Sequence, residues 1–354
     1  MKIENVRIAR FSMPRVDPDW RTASYADTSV VGFLLEVAAD GVIGIGGTAA
    51  HPRSAPDDKL EAQLRGPVSS VLRGIDPFSG NQIRSALQAA QVYPRALIAA
   101  DLALHDLIGK LANLPCYVLW GGAVRRQVTV VRMVGIKAPD DLISHTRSLV
   151  DEGYTHFKVK IGTGVAEDVA RIRVLREALG ETIWIAVDGN SAYTPDEAMQ
   201  LSHALEALGV SLIEQPTDYR DLDGLARVTA SSPIPIMADQ YVKDAASALK
   251  LCQAKAAHVV SIKATKMGSI DECRRVADLC GAFGIRVHIG GSAVPCVVDA
   301  AQVHLAASLP GVDEECEVGE FLAVTGDPTT GLVVRDGRIE VSEAPGLGVT
   351  LARP

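Results

Sequence analysis

From residue 125 onward the chain repeats one plan about every 25 residues: a short, apolar, β-rich run ending in a polar residue, then an amphipathic helical stretch. The strand candidates are QVTVVRMVG, HFKVKIG, TIWIAVDGN, VSLIEQP, IPIMADQ, HVVSIKA and IRVHIGG, with a shorter ECEV at 315–318. The stretches between them carry apolar residues at i, i+3, i+4 and i+7, the spacing of one helix face. Several end in Gly, as helix C-caps do, and TPDEA places a cap residue before a Pro at the first helical position. Strands alternating with helices pair in parallel through right-handed crossovers. An open doubly wound sheet satisfies the same pattern. However, the first strand ends without a glycine-rich phosphate loop, and about eight uniform units favour closure. The expected fold is α/β, a (β/α)7β TIM-like barrel.

Residues 1–124 follow a different plan. VRIARFSMPRV and VVGFLLEVAADGVIGIGGTA read as antiparallel strands with DG as a turn, and RALIAADLALHDLIGKLANLP as a strongly periodic helix. The tail repeats the turn signal in GLVVRDGRIEVSEAPGLGV. The expected organisation is an α+β capping domain at 1–124, a catalytic barrel at 125–318, and a C-terminal segment, 319–354, that completes the capping domain. With 47% apolar and 22% charged residues the chain reads as soluble and globular. A net charge of −8 offers no basic face to nucleic acid. No apolar run approaches the roughly 20 residues of a membrane span. The opening MKIENVRIARFSMP lacks the apolar stretch of a signal peptide, so a cytoplasmic location is expected. The six cysteines show no CxxC pair and no zinc-like spacing, and read as buried, reduced thiols.

Barrel enzymes carry their chemistry at the C-terminal ends of the strands. Those ends hold Lys158 and Lys160, then Asp188, Glu214, Asp239, Lys263 and His288, with 24 to 28 residues from Lys160 to Asp188 and between each later pair. Each charge falls at the same place in its repeat, so all converge on one mouth. Three carboxylates from neighbouring strands cannot share a dry site without a cation. Oxygen donors without Cys or His suit a hard ion such as Mg²⁺. Two lysines on the second strand face that centre, and Lys263 on the sixth approaches from the other side. Cations around a metal-bound carboxylate substrate are what α-proton abstraction requires: they stabilise the enediolate while a lysine of lowered proton affinity takes the proton.

KVK at 158–160, VDGN with Asp188 and Asn190, IEQP with Glu214, ADQ with Asp239 and IKATKMGS with Lys263, preceded by AADLALHDLIGKLANLPCYVLWGG, resemble the enolase superfamily. The likeness is to the branch typified by muconate lactonizing enzyme and its racemase and epimerase relatives. The resemblance implies that Asp188, Glu214 and Asp239 hold Mg²⁺, and that Lys160 and Lys263 form an acid/base pair on opposite faces of the substrate. It implies further that Lys158 lowers the proton affinity of Lys160 and helps stabilise the enolate, and that the enzyme is a symmetric homo-oligomer. Three departures stand out. Gln240 follows Asp239 where many relatives carry Glu, GIGGTAA lacks an acidic residue common after this turn, and DEECEVGEF lacks the Asp-x-Asp pair by which dipeptide epimerases hold an ammonium group. That last segment offers Glu315 and Glu317 on one side, and Glu317 is assigned a substrate or hydrogen-bonding role.

Other positions have two readings. Asn190 is a substrate contact or a turn residue, and His288 a substrate contact or a core histidine. The loop VDPDWRTASYADT (17–29) either covers the mouth, with Trp20 and Tyr25 as contacts, or is an ordinary surface loop. The favoured reaction is racemisation or epimerisation of an amino acid derivative or cyclic amino acid. Dehydration of a hydroxy acid, acid sugar or hydroxyproline-like compound, or cycloisomerisation, is second. A Schiff-base lyase would leave the three carboxylates without a role. A non-catalytic metal-binding scaffold is the remaining reading.

Overall fold

Strands β1 (Asn5–Pro14), β2 (Ser29–Ala39) and β3 (Val42–Ala49) form an antiparallel sheet in that order. The computed structural model describes residues 1–51, 55–312 and 315–352, so Asp313 and Glu314 of DEECEVGEF and the last two residues of the tail lie outside it. Asp40 and Gly41 form the two-residue β2–β3 turn with φ of 52° and 74°, the left-handed pair that a tight hairpin of this twist needs. The sheet packs on helix α1 (Pro94–Ala112). A Cβ at Gly44 or Gly46 would run into the carbonyls of Ala103 and Ala99, so β3 can lie against α1 only because it reads VIGIGG. The wholly buried Asp106 of α1 accepts the N–H of Ile45 at 2.7 Å and that of Leu347 at 2.8 Å, tying the helix to both the sheet and the tail.

The expected first barrel strand is split into β4 (Gln127–Val130) and β5 (Arg132–Val134). At the break, Val131 turns its N–H to the carbonyl of Cys316 at 2.9 Å. Six parallel strands follow: β6 (His156–Lys160), β7 (Trp184–Asp188), β8 (Leu212–Glu214), β9 (Ile236–Ala238), β10 (Val259–Ile262) and β11 (Arg286–Ile289), giving a seven-stranded sheet from β5 to β11. Closure comes through β12 (Glu315–Cys316). It pairs in parallel with β4, and the following Glu317 donates its N–H to Ile289 of β11 at 2.8 Å. The split therefore lets one stretch of chain serve two partners, β6 on one side and β12 on the other.

The longer helices that follow the barrel strands are α2 (Pro139–Asp151), α3 (Val165–Leu179), α4 (Pro195–Glu206), α5 (Leu222–Ser231), α6 (Ala245–Ala254), α7 (Ile270–Ala282) and α8 (Cys296–Ser308). Thr194 and Glu197 form a reciprocal cap at the start of α4, where TPDEA predicts one. Every residue of α8 is buried, because the barrel packs on one side of it and β3 with the tail on the other. In the tail, β13 (Thr329–Thr330) pairs with β16 (Thr350–Leu351), and β14 (Val334–Arg335) with β15 (Arg338–Glu340) across the second DG turn. β15 adds to β4 rather than to the N-terminal sheet. The tail meets the N-terminal segment at the bridges Arg15–Val324 and Pro115–Gly346. All six cysteines are buried. Among the described residues no helix is long and apolar enough to cross a membrane.

His304 of α8 stacks on Tyr117 with ring centroids 5.7 Å apart and accepts the Tyr117 N–H on Nδ1 at 3.2 Å. Burial pushes its proton affinity down from 6.5 to about 4. As pH falls through this interval the unfolded chain takes up a proton that the folded one refuses. The contribution is therefore complete above about pH 6.5 and lost on approach to about pH 4, amounting to about 3 kcal/mol. In urea unfolding across this range, His304→Gln should show a shallower acid loss of stability than the parent chain. Equal slopes would contradict the assignment.

Candidate active site

The alternation in HFKVKIG sorts its side chains. Phe157 and Val159 lie in the apolar core between sheet and helices, whereas Lys158 and Lys160 enter the barrel. Ala186, Leu212 and Met237, from β7, β8 and β9, form an apolar floor with Val259. Asp188, Glu214 and Asp239 each stand two residues beyond a floor residue, so all three acids rise from one layer. Lys158 pairs in register with Ala186 and Lys160 with Asp188, so Lys158 starts at floor level and its long side chain reaches up to the acids.

Four ammonium groups meet these acids. Lys158 contacts Glu214 and Glu317 directly and lies 3.9 Å from Asp188, which Lys160 contacts. Lys263 Nζ is 2.8 Å from Asp239 Oδ2 and 3.7 Å from Glu214 Oε1, and Lys266 Nζ is 2.8 Å from Asp239 Oδ1. Glu317 Oε1 lies 3.2 Å from His288 Nε2, and Glu317 Oε2 accepts the N–H of Gly291 at 2.7 Å. Burial opposes the charge on Lys158, but Glu214, Glu317 and Asp188 outweigh it and raise its proton affinity. Burial likewise opposes the Asp239 carboxylate, yet the Lys263 and Lys266 ammonium groups hold it below the usual carboxylate range. At Glu214, burial and the nearby Asp188 prevail over the lysines and push the carboxyl up.

The three acids are thus joined in pairs by the chain's own cations. Among the described residues no three acidic, histidine or cysteine side chains gather at one point. Mutual repulsion explains this arrangement, since three buried carboxylates need positive charge between them. The donor set nonetheless fits Mg²⁺: it is all oxygen, drawn from adjacent strands, and Glu214 Oε1 is buried with no hydrogen-bond partner. A cavity of about 510 Å³ opens above the acids. Lys160, Lys263, Asp239 and Asn190 line it from the barrel, and Trp20 and Tyr25 line it from the 17–29 loop. Asn190 donates to both oxygens of Asp188, at 2.8 Å from its N–H and 3.1 Å from Nδ2.

Glu317 and His288 take the second of the roles given for them, hydrogen bonding and burial. His288 and Glu317 are 2% and 0% exposed and are not on the cavity wall; Glu317 contacts Lys158, and His288 contacts Glu317. Glu315 also parts from Glu317. It lies 4.0 Å from His156 at the lower end of β6, because two residues of extended chain separate the pair by about 6.6 Å.

Other residues shape the site without having been singled out. Lys266 returns to Asp239 because a single helical turn, Ala264–Met267, follows Lys263. The buried Gln215 accepts the Asp239 N–H at 2.9 Å. Asp168 of α3 accepts the N–H groups of Gly162, Thr163 and Gly164 at 2.9–3.1 Å and the Tyr193 hydroxyl at 2.5 Å, joining the loops that follow Lys160 and Asp188. Asn190, Ser191 and Gln215 have φ of 44°, 68° and 36°. Left-handed non-glycine residues within three positions of two of the three acids mark strain stored where the chain presents its carboxylates. IEQP placed Gln215 beside Glu214 in plain view, but nothing in the local pattern announces a left-handed backbone there.

Residues 141–354 match the family model described as Enolase C-terminal domain-like, and residues 13–121 match that of the Mandelate racemase / muconate lactonizing enzyme, N-terminal domain. The hydrophobic dipeptide epimerase of Enterococcus faecalis is 34% identical over 281 residues, spanning 78% of this chain and 79% of that protein. The cis-3-hydroxy-L-proline dehydratase of Roseibium aggregatum is 31% identical over 283 residues, spanning 79% and 76%. Among solved structures, a dipeptide epimerase from Enterococcus faecalis complexed with Mg and the dipeptide L-Leu-L-Tyr superposes with a TM-score of 0.94 at 29% identity, covering 99% of this chain and 100% of that one. Two matched domains in the expected order, on a barrel that gathers acids and lysines at one mouth, make this chain an isomerase or lyase of the enolase superfamily, in the mandelate racemase / muconate lactonizing enzyme family.

Proposed function

We propose that the enzyme removes the α-proton of a carboxylate substrate and returns a proton to the same carbon, racemising or epimerising an amino acid derivative or cyclic amino acid. One observation carries this reading: Lys160 and Lys263 rise from β6 and β10, four strands apart in the barrel sheet, and both line the same cavity. Asp188, Glu214 and Asp239 would hold Mg²⁺, which when bound supplies fixed positive charge beside the substrate carboxylate. Lys160 Nζ, in its neutral amine form, accepts the α-proton from one face and becomes an ammonium. Lys263, whose ammonium form Asp239 and Glu214 favour against the cost of burial, delivers a proton to the other face of the planar enediolate. Configuration at carbon is thereby inverted. Lys158, braced by Glu214 and Glu317, keeps a fixed positive charge below the reaction plane. Trp20 and Tyr25 close the cavity from the loop side and keep water from the reacting carbon.

Incubation with L- and D-amino acid derivatives in D₂O, read by mass spectrometry, tests this reading. The expected product gains one deuterium without loss of water, EDTA abolishes the exchange, and Mg²⁺ restores it. Loss of water would move the reading to dehydration, the reaction for which the 31% identical relative is named. A Schiff-base lyase would leave Asp188, Glu214 and Asp239 without a role. EDTA-resistant turnover with borohydride trapping on a lysine would overturn the proton-transfer scheme.

A further inference from the structure

The cavity wall is strongly unbalanced in charge. Among the described residues it carries six cationic side chains, Arg15, Arg95, Lys160, Lys243, Lys263 and Lys266, against one acidic side chain, Asp239. Four of the six are ion-paired: Arg15 with Asp27, Lys160 with Asp188, and Lys263 and Lys266 with the one Asp239 carboxylate. Arg95 and Lys243 make no ion pair among the described residues. Arg95, half-buried at the start of α1, gives one hydrogen bond, from Nη1 to the carbonyl of Ala49 at 2.8 Å. Its other N–H groups have no hydrogen-bond partner among the described residues, and the residue lines the cavity. Burial lowers its proton affinity to about 10, partly opposed by Tyr25, so the guanidinium stays charged at neutral pH. A half-buried guanidinium without an anion is poorly solvated, and its planar fork matches a carboxylate.

Resting on the reading under Proposed function, we infer that the substrate carries a second carboxylate, held by Arg95 with Lys243 adding charge at the rim. The same wall disfavours a free ammonium group on the substrate. Among the described residues its single acid, Asp239, is already shared by Lys263 and Lys266, and no other carboxylate of those residues lines the wall to receive one. The substrate class is therefore a dicarboxylate whose amino group, if it has one, is acylated or otherwise uncharged. Recognition at two ends would also orient the α-carbon between Lys160 and Lys263.

Calorimetric titration of the Mg²⁺-loaded full chain with glutarate and with butyrate tests this subsite without requiring turnover. Glutarate should bind at least about tenfold more tightly than butyrate. Arg95→Gln should erase that preference while leaving butyrate affinity unchanged, which also shows that the variant is folded. Lys243→Gln, at an exposed position, should narrow the preference, and Arg95→Lys should retain part of it. Equal affinities in the parent chain overturn the inference. So does a preference that survives Arg95→Gln, or an equal loss of both ligands, which would make Arg95 a structural support for Ala49. If the preference holds but no dicarboxylate or monocarboxylate exchanges its α-proton in D₂O, the proton-transfer reading fails and the anion subsite stands.

Discussion

Lys160→Ala and Lys263→Ala should each lower turnover by about 10²–10⁴-fold, the usual contribution of a positioned proton carrier. The more telling result is asymmetry. With one base on each side of the enediolate, removing one lysine should leave the other able to exchange the α-proton of the enantiomer that faces it. Deuterium uptake followed by NMR on each enantiomer separately should then show one exchanging and one inert, with the two variants showing opposite preferences. Both side chains end at the cavity rather than in the apolar core, so neither truncation opens a void beneath the sheet. Near-normal turnover in both variants would sink the two-base assignment. Loss of exchange from both enantiomers in each variant would mean that the lysines act as one unit.

Lys158→Ala should destabilise the metal-free protein by about 3–5 kcal/mol, the cost of removing one partner from a buried ionic cluster. Lys158 is 1% exposed and in direct contact with Glu214 and Glu317, which are both 0% exposed. Without it, Glu214 keeps Lys263 at 3.7 Å as its nearest cation, and Glu317 keeps the His288 imidazole. Lys158→Met separates charge from packing, since it nearly fills the same volume. Denaturant unfolding of the two variants should show losses of similar size. A loss below about 1 kcal/mol in Lys158→Met would show that the cluster contributes no net charge stabilisation.

Much of this was legible before any coordinates. The regular phase of Asp188, Glu214 and Asp239 follows from strands that each carry one floor residue and then one acid two positions on. The two DG turns were equally plain, because few dipeptides adopt two successive left-handed conformations without strain. What escaped notice depended on distance in sequence or on height along a strand. Arg95 reaches the cavity from the N-terminal part of the chain, and no local pattern records that approach. Alternation puts Glu315 and Glu317 on one side, but it is silent on which end of the barrel each serves. Val131 breaks its strand because a distant pair of residues, Glu315 and Cys316, needs an opening there. The pairing of β15 with β4 was hidden for the same reason.

That pairing has a consequence for the protein's handling. The strand that closes the barrel is extended on its other edge by a ribbon from the C-terminal part of the chain, with β15 pairing beside β4 and β14 outside β15. A proteolytic nick or truncation before residue 334 would strip this ribbon and bare a row of unsatisfied amide groups, inviting a neighbouring molecule to supply the missing strand.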